Sequence, residues 1–464
     1  MKRIKLKITA LSPLAIAAKK PGSVSEAEDH IPGSVIRGAI ASQILQLSNQ
    51  QTPRIAEQNL TADGGDFEAL FLGDEPAIFQ NAYPAVAKIA NKSFLVDKQK
   101  TEKEKYDTIY RVVNDEILVL PVTSVSSKTD SGFKPKANGV FDTLIDRFCA
   151  DSYNYPYDPS DPKSLEEKTD ARVEPYGSGF YSKTNDRETK YQYRSHSVST
   201  RFLTRVGINR QRATSQDDIL YSIEVLNESF VENPQEKNWH PVVYRSDILV
   251  NDADLAKSLT DFINQNFQIF RLGGATSRGL GKVEITATMD DAFTDVESRI
   301  AEFNKQFKNR WQLWSVFSTP ENNLLENRTY FTLDLQADAI LTDNWRRITV
   351  ISPKMLCEFV NLDDEFAQLN DTEEKDNFLK LEVAYSSYNY RSGWNSAWGL
   401  MKDIELVTNR GAVYLFSIDK ENEKKWTDKL KDLELNGVGD RTSEGFGQVR
   451  VCNEFHNVFR ENAK

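Results

Sequence analysis

A glycine-rich stretch in the second half of the chain has the residue types that can hold an anion. Residues 272–283 read Leu-Gly-Gly-Ala-Thr-Ser-Arg-Gly-Leu-Gly-Lys-Val. Glycine adopts positive φ freely, and successive backbone N–H groups in such a loop can form a concave site for a phosphate. This first glycine loop therefore predicts anion contacts through Gly273, Gly274, Ser277, Arg278, Gly279 and Lys282.

A second glycine loop at 438–449 reads Val-Gly-Asp-Arg-Thr-Ser-Glu-Gly-Phe-Gly-Gln-Val. Neither copy is a nucleotide-triphosphate loop, because Gly-Lys-Ser/Thr is absent from both, and the first copy leads into an alternating strand rather than a helix. Glu444 stands where Arg278 stands in the first loop, and its carboxylate would repel a phosphate. The second loop is therefore predicted to have a folding role only. The alternative for the first loop is likewise a tight turn that binds no ligand.

The net charge of −11 argues against a free-standing nucleic-acid-binding protein, which is usually basic. The charge is uneven, however, because residues 187–212 contain seven basic residues opposed by Glu188 alone, with aromatic residues between them. This asymmetry predicts one basic groove and other faces for protein partners. The residues of the stretch that we expect to contact RNA are Arg201, Arg205, Asn209, Arg210 and Arg212.

A further candidate phosphate contact lies near the amino terminus. Residues 31–45 begin Ile-Pro-Gly-Ser and continue with isoleucines every four residues, which predicts a helix starting near Ser34. A helix amino terminus offers free N–H groups to an anion, and Arg37 lies in the first turn. Arg37 is either a phosphate contact or an ordinary surface charge.

Acid–base chemistry has few candidates. Asp29 precedes His30 in the loop after the first predicted strand, and a lone aspartate there is more often a turn former or helix cap than a catalyst. His196 is the other histidine that a general acid–base mechanism would require, but nothing in the sequence brings it to His30. The three cysteines are far apart and the four histidines are scattered, so neither a metal site nor a cofactor is predicted.

Composition fixes the broad class. Apolar residues make up 39% of the 464 residues and charged residues 27%, as in soluble globular proteins. No apolar run approaches a membrane span, and the alternating amino terminus does not resemble a signal peptide. We therefore expect a cytoplasmic protein with no membrane contact.

The order of predicted elements indicates an α+β fold built twice. Each half ends with a strand, a helix, a glycine loop and a strand, and repetition of this order suggests two related units. Strand-rich units with two helices each favour the ferredoxin-like β-α-β-β-α-β motif. We predict a first unit at 1–290 with long insertions near 97–190, a linker at 291–319 whose helix covers 293–314, and a second unit at 320–464.

The ordered motifs resemble those of the CRISPR-associated RAMP superfamily. They are Ile31-Pro32-Gly33-Ser34 with Arg37-Gly38-Ala39, Gly207-Ile208-Asn209-Arg210 with Ala213, and the first glycine loop; the second glycine loop resembles that of a second RAMP unit. Within the superfamily, the ordered set resembles that of the double-RAMP subunit of type III-D effector complexes.

This resemblance implies a non-catalytic subunit that binds CRISPR RNA. Its counterparts hold the 5′ repeat-derived tag of the guide RNA and bridge the large polymerase-like subunit to the backbone RAMP subunits, meeting target RNA only indirectly. Two alternatives remain: a backbone subunit that cleaves target RNA with Asp29, and a guide-processing endoribonuclease. A scaffold without RNA contact is a third, which the basic stretch disfavours.

Overall fold

The computed structural model describes residues 1–17, 26–51, 65–92, 102–164, 172–185, 190–209, 214–233, 235, 237–317, 327–395 and 400–464. The predicted RNA contacts Arg210 and Arg212 lie outside these residues. The α-helices within them are α1 (Gly33–Gln51), α2 (Gly65–Phe71), α3 (Leu144–Ser152), α4 (Ala253–Gln265), α5 (Val296–Trp314), α6 (Pro353–Phe359), α7 (Asp363–Gln368), α8 (Thr372–Phe378) and α9 (Glu423–Asn436).

The strands lie between these helices along the chain, often several in succession. They are β1 (Lys2–Ala10), β2 (Ile78–Phe79), β3 (Tyr83–Pro84), β4 (Val86–Lys92), β5 (Tyr106–Val112), β6 (Ile117–Val119), β7 (Ser124–Ser127), β8 (Val140–Asp142), β9 (Val173–Pro175), β10 (Phe180–Lys183), β11 (Tyr193–His196), β12 (Thr200–Asn209), β13 (Thr214–Leu226), β14 (Ser229–Val231), β15 (Trp239–Pro241), β16 (Val243–Val250), β17 (Val283–Asp291), β18 (Arg328–Leu335), β19 (Leu341–Asp343), β20 (Arg346–Ile348), β21 (Lys380–Tyr385), β22 (Tyr388–Asn395), β23 (Leu400–Thr408), β24 (Val413–Asp419) and β25 (Val449–Val451).

The first main sheet has the strand order β17-β1-β16-β2, with each pair antiparallel. Along β1 the apolar residues alternate with polar ones, and Ile4, Leu6 and Ile8 are fully buried. This buried face packs with apolar residues of α1 and α4 into one core. The order of these strands along the chain, with α1 after the first and α4 after the third, is that of a ferredoxin-like unit.

The second main sheet repeats this plan with the order β25-β18-β24-β21. Helices α6 to α8 lie between its first and second strands along the chain, and α9 lies between its third and fourth. Trp426 of α9 is fully buried and its ring centroid lies 6.2 Å from that of Phe331 on β18. The predicted α+β class with two ferredoxin-like units is confirmed.

The second sheet differs from the first in being covered on both faces. The predicted linker helix exists as α5, and its apolar residues at spacings of three and four turn toward β18. Phe307 stacks on Tyr330 with ring centroids 4.6 Å apart, and the side chain of Asn304 bonds both backbone groups of Tyr330. Helix α5 therefore belongs to the second core, together with α3.

The inserted segment between β4 and β11 contacts both units. It forms the sheet β5-β4-β11-β10-β6 and the smaller sheet β8-β7-β9. Val140 and Lys464 exchange two backbone hydrogen bonds of 2.8 and 3.0 Å, and Asp142 donates its backbone N–H to Val458. Residues 458 and 464 thus bond to the backbone of β8 in the smaller sheet.

A buried histidine joins this smaller sheet to the second unit. His456 lies between two buried carboxylates, 3.1 Å from Asp142 and 2.7 Å from Asp334. Burial alone would lower the pKa of His456, but the two carboxylates raise it to about 10, so both ring nitrogens donate.

None of the described helices combines the length and the apolar character that crossing a bilayer requires.

Candidate nucleic-acid interface

The first glycine loop is a surface turn with four residues in the left-handed region. Ala275 and Gly279 have φ of +52° and +85° and enclose a 3₁₀ turn at Thr276–Arg278. Gly273 and Gly281 also have positive φ, and a Cβ on either would lie 2.5 Å from a backbone carbonyl oxygen. Glycine is therefore required at these two positions for the fold itself.

Backbone hydrogen bonds fix this loop to the segment that follows β1. Gly274 donates to the carbonyl of Ala15 (2.8 Å) and Gly281 to that of Pro13 (2.9 Å). The backbone N–H of Lys282 donates to the hydroxyl of Ser12. These N–H groups are engaged within the chain, so an anion at this loop would rely chiefly on side chains.

Side chains of the β12–β13 ribbon meet the tip of the first glycine loop. Arg205 and Tyr221 are opposite each other in the ribbon, so their side chains share one face. The Arg205 guanidinium lies 3.5 Å from the carbonyl of Arg278, and the Arg278 guanidinium donates to the Tyr221 hydroxyl at 2.5 Å. Arg205 and Arg278 thus contact each other at the tip of the loop through a guanidinium and a backbone carbonyl.

Among the side chains that the structure describes, which exclude those of residues 207–220, no carboxylate forms an ion pair with Arg205 or Arg278. Ser277, Gly279 and Lys282 are exposed beside them, and a Cβ on Gly279 would meet open space. We name Arg205, Tyr221, Arg278 and Lys282 the loop-tip cluster. Its cations can bind a phosphate, and the tyrosine ring offers an edge or face to a base.

Further along the ribbon the predicted contacts are arranged differently. The Arg201 guanidinium pairs with Glu228 at 2.8 Å and donates to Asn227, so much of its charge is balanced. Phe202 is 63% exposed on the other face of β12. Asn209 ends β12, next to the predicted contacts that the described residues do not include.

Arg37 contacts its own unit. Its guanidinium donates to the carbonyl of Phe71 at 2.5 Å and lies 5.6 Å from the centre of that ring. Among the described residues no hydrogen bond or ion pair joins Arg37 to the first glycine loop. Arg37 therefore links α1 to α2, and its role as a phosphate contact stays a prediction.

The second glycine loop has the same backbone conformation in different surroundings. Arg441 and Gly445 have φ of +61° and +91° and enclose a 3₁₀ turn at Thr442–Glu444. A Cβ on Gly445 would lie 2.6 Å from the Asn81 side-chain oxygen and 3.1 Å from the Cα of Gly33. The second loop therefore packs against the first unit, where α1 begins.

Glu444 is engaged within its own loop. Its carboxylate forms an ion pair with Arg441, at 2.5 Å, and the Arg441 guanidinium lies 5.2 Å from the centre of the Phe446 ring. Both side chains are only partly exposed. The structure thus gives this carboxylate a structural partner, in agreement with a folding role for the second loop.

Asp29 is held by an arginine from the second unit. The Arg410 guanidinium binds both oxygens of Asp29, and His30 Nδ1 lies 2.9 Å from Asp29 Oδ1. Burial raises the pKa of Asp29, but these hydrogen bonds and the Arg410 charge outweigh it and hold that pKa well below its usual range. Such a carboxylate is a weak base at neutral pH.

The neighbouring Glu28 is bound in the same manner. Glu28, Asp29 and His30 place one potential metal-ligand atom each within 4.8 Å of one another. However, Arg391 donates to Glu28 at 2.8 Å and also bonds Asp338, while Arg410 occupies Asp29. These arginines supply the positive charge that a cation would otherwise bring, so the residues do not fit a metal ion.

A narrow cleft of about 20 Å³ lies at this junction of the two units. It is lined by His30, Pro32, Asn81, Asp338, Arg391, Arg410, Glu444, Gly445 and Phe446. Its arginines are paired with carboxylates, which leaves the cleft without a surplus of positive charge. We therefore regard the cleft as a joint between the units rather than as an RNA site.

The second histidine of the endoribonuclease alternative is buried. His196 is 4% exposed, and its ring nitrogens lie 3.0 Å from the Pro84 carbonyl and 2.8 Å from the Ser182 hydroxyl. Burial lowers its pKa to about 4. His196 is thus neutral and fully bonded, which does not suit a general acid or base.

Sequence reasoning missed three residues that define these sites. Tyr221 could have been found from its place opposite Arg205 in an alternating hairpin. Arg410 and Arg391 contact the first unit only through tertiary packing, with Arg410 lying 381 residues from Asp29. No local sequence pattern predicts an ion pair between residues so far apart in the chain.

Comparison with solved structures gives weak likenesses. A chain of a type III-B Cmr-beta complex bound to cognate target RNA and AMPPnP is 10% identical, covers 92% of this chain and 93% of its own, and has a TM-score of 0.33. Cmr4 from Pyrococcus furiosus is 13% identical, with 62% and 99% covered and a TM-score of 0.23. Cas6 is 12% identical, with 47% and 81% covered and a TM-score of 0.24. Likenesses this weak do not establish a shared function.

A search of curated proteins gave no match. The family model of the RAMP superfamily matches residues 7–284, which include the end of β1, the β12–β13 ribbon and the first glycine loop. The matched part covers more than half of the chain. The chain belongs to the RAMP superfamily.

Proposed function

We propose that this chain is a non-catalytic RNA-binding subunit of a type III CRISPR effector ribonucleoprotein. In this proposal it grips the 5′ repeat-derived tag of the guide RNA and bridges the large polymerase-like subunit to the backbone RAMP subunits. Membership of the RAMP superfamily supports the class. The observation that carries RNA binding is the loop-tip cluster, where Arg205 and Arg278 lie together at the surface of the first glycine loop.

The physical reason is the charge of this cluster. The positive charges of Arg205 and Arg278 on this side of the ribbon repel each other, and among the side chains that the structure describes no ion pair with a carboxylate relieves the repulsion. A phosphate placed between them would remove it and accept hydrogen bonds from both. Such contacts fix the position of a strand without reading its bases, which suits a subunit that holds a constant tag.

A non-catalytic role is supported by Asp29. A general base needs a free carboxylate with a pKa near the working pH, whereas Asp29 binds Arg410 through both oxygens and its pKa is lowered. Its arginine comes from the second unit, so the pair also joins the two units.

The RNA-binding proposal is tested with the double variant Arg205→Ala/Arg278→Ala. Labelled guide RNA with and without its 5′ tag is titrated against the purified chain by fluorescence anisotropy. We expect at least a tenfold loss of affinity for the tagged RNA, since each phosphate contact is a charge-assisted hydrogen bond. Lys308→Ala is the control, because it removes an exposed positive charge from α5, which belongs to the second core. An unchanged affinity in the double variant would refute the assignment.

The non-catalytic proposal is tested separately in the assembled complex. Asp29→Ala should leave every target-cleavage product in place, because neighbouring subunits make the cuts in this proposal. Loss of one product while the complex stays intact would show that Asp29 cleaves RNA. Arg410→Ala provides the control for a merely structural effect, since it breaks the same ion pair from the other side.

A further inference from the structure

Each ferredoxin-like sheet has one face that packs against the helices of its own β-α-β-β-α-β motif. We name the opposite face the open face, and the two units differ on this face. In both units the residue after the first strand bonds the residue before the last: Leu11 to Lys282 and Gln336 to Gln448. This equivalence places Lys5 and Lys7 of β1 where Tyr330 and Thr332 stand on β18. The latter two are buried under α5, whereas Lys5 and Lys7 are exposed.

Most charged groups on the open face of the first sheet are paired. Lys5 binds Asp290 at 2.7 Å, and Arg3 lies 3.4 Å from Asp247. Arg245, opposite Lys7 in the sheet, donates to the carbonyl of Val113 at 3.1 Å. Lys7 alone among these cations has neither an ion pair nor a side-chain hydrogen bond within the described residues, so its charge is available.

Lys7 lies at the floor of a groove of about 320 Å³. Strand β5 forms one wall and the β14–β15 ribbon the other, so the groove is built from three separate elements. Its aromatic lining consists of Tyr110, Phe230 and His240, and the Phe230 and His240 rings lie 5.8 Å apart. The volume falls within the roughly 300–1,000 Å³ of small-ligand pockets.

The one carboxylate of the groove is already occupied. Glu232 forms an ion pair with Arg111 and lies 3.5 Å from His240 Nε2. Its charge is balanced by Arg111, which leaves Lys7 as the surplus charge of the groove. A protein partner's apolar surface would leave this cation without a partner, at a cost in desolvation.

Aromatic rings next to an available cation suit one ligand class. A nucleobase stacks on an aromatic ring whatever its sequence, and the adjoining phosphate takes a lysine. We propose that the open face of the first sheet is a second RNA contact, which binds a single-stranded segment with one base against Tyr110 and Phe230 and a phosphate at Lys7. This site is distinct from the loop-tip cluster and extends the proposed function.

The test uses the full chain and a short labelled oligouridine, which has no repeat-derived tag. Affinity is measured for Lys7→Glu/Phe230→Ala and for the control Trp239→Ala, whose side chain is 68% exposed next to His240 but does not line the groove. We expect a roughly tenfold loss for the double variant and none for the control. Where the double variant does not fold, Lys7→Glu alone decides, because Lys7 is exposed.

Photo-crosslinking locates the contact independently. With 4-thiouridine in the oligonucleotide, we expect crosslinked peptides that contain Tyr110 or Phe230, and they should persist in Arg205→Ala/Arg278→Ala. Crosslinks confined to the loop-tip cluster, or equal affinity in Lys7→Glu, would overturn the proposal without touching the first site. Loss of a co-purifying protein with unchanged RNA affinity would also overturn it and assign the groove to a protein partner.

Discussion

The first glycine loop stands at the surface, whereas the second, with the same backbone conformation, is pressed between the two units. Each has a non-glycine residue at positive φ before the 3₁₀ turn and a glycine after it. Around Gly279 there is open space, but Gly445 is surrounded by Asn81, Phe79 and Gly33. The same turn is thus open to solvent in the first unit, whereas in the second unit it packs against the other unit.

The charges follow the same division. At the first loop Arg278 lies beside Arg205 without a carboxylate partner among the described residues, while at the second loop Glu444 is paired with Arg441. The comparison teaches that glycine spacing encodes the turn, and that the neighbours of the turn decide whether it can take a ligand.

The largest expected effect separates the two loops by stability. Gly445→Ala and Gly279→Ala both place a Cβ at positive φ, which costs about 1–2 kcal/mol. Only Gly445→Ala also pushes on Asn81, whose oxygen accepts the Gly33 N–H at the start of α1. We expect the free energy of unfolding to fall by about 3 kcal/mol for Gly445→Ala and about 1 kcal/mol for Gly279→Ala. Equal losses of unfolding free energy in the two variants, measured by urea unfolding, would contradict this difference between the loops.

The next effect extends the comparison to two buried histidines with opposite pH dependence. The pKa of His456 is raised to about 10, so its stabilisation is complete below pH 6.5 and is lost as pH rises toward 10. The pKa of His196 is lowered to about 4, so its contribution is complete above pH 6.5 and is lost as pH falls toward 4. Each pH unit between the folded and unfolded pKa of His456 costs about 1.4 kcal/mol, or roughly 2–3 kcal/mol from pH 7 to pH 9.

Unfolding curves of the parent chain and of His456→Gln across pH 6–10 check this expectation. The loss of stability above pH 7 should be markedly smaller in His456→Gln, because glutamine does not titrate. The low-pH loss due to His196 should be unchanged in that variant. Parallel curves above pH 7 would mean that His456 is not charged in the folded protein.

A smaller effect is expected from exchanging the charges of the loops. Arg278→Glu should lower RNA affinity about tenfold at 0.1 M salt without loss of stability, because Arg278 is exposed. Glu444→Arg should remove the ion pair with Arg441 and lower the free energy of unfolding by about 1 kcal/mol. It should leave RNA affinity unchanged, and a gain in affinity would show that the second loop also faces RNA.

The smallest effect concerns Lys282 and its counterpart Gln448. If Lys282 contacts one phosphate of a single strand, Lys282→Ala should make the negative slope of log K against log salt shallower by roughly 0.7. Gln448→Ala carries no charge change and should leave the slope unaltered. Anisotropy titrations at several salt concentrations measure both slopes, and an identical decrease in the two variants would argue against a phosphate at Lys282.

The sequence was sufficient for whatever depends on local pattern. The alternation of β1 and β17, the spacing of apolar residues in α5 and the glycine repeats are local, and the structure has each of them. What depends on distant partners could not be predicted, as with Arg410 binding Asp29 or α3 joining the second core. Arg37 illustrates this limit. Its position in the first turn of α1 was predictable, but the hydrogen bond from its guanidinium to the carbonyl of Phe71 was not.

The pairing of Val140 with Lys464 also has a consequence for biosynthesis. The inserted sheet leaves the ribosome early, but the segment that bonds to the edge of β8 follows more than three hundred residues later. At about 5–20 residues per second this delay is roughly 15–65 s, during which the edge of β8 has no partner from its own chain. Nascent chains would therefore need protection of this edge, and C-terminal fusions that strain it should lower the yield of folded protein more than N-terminal ones.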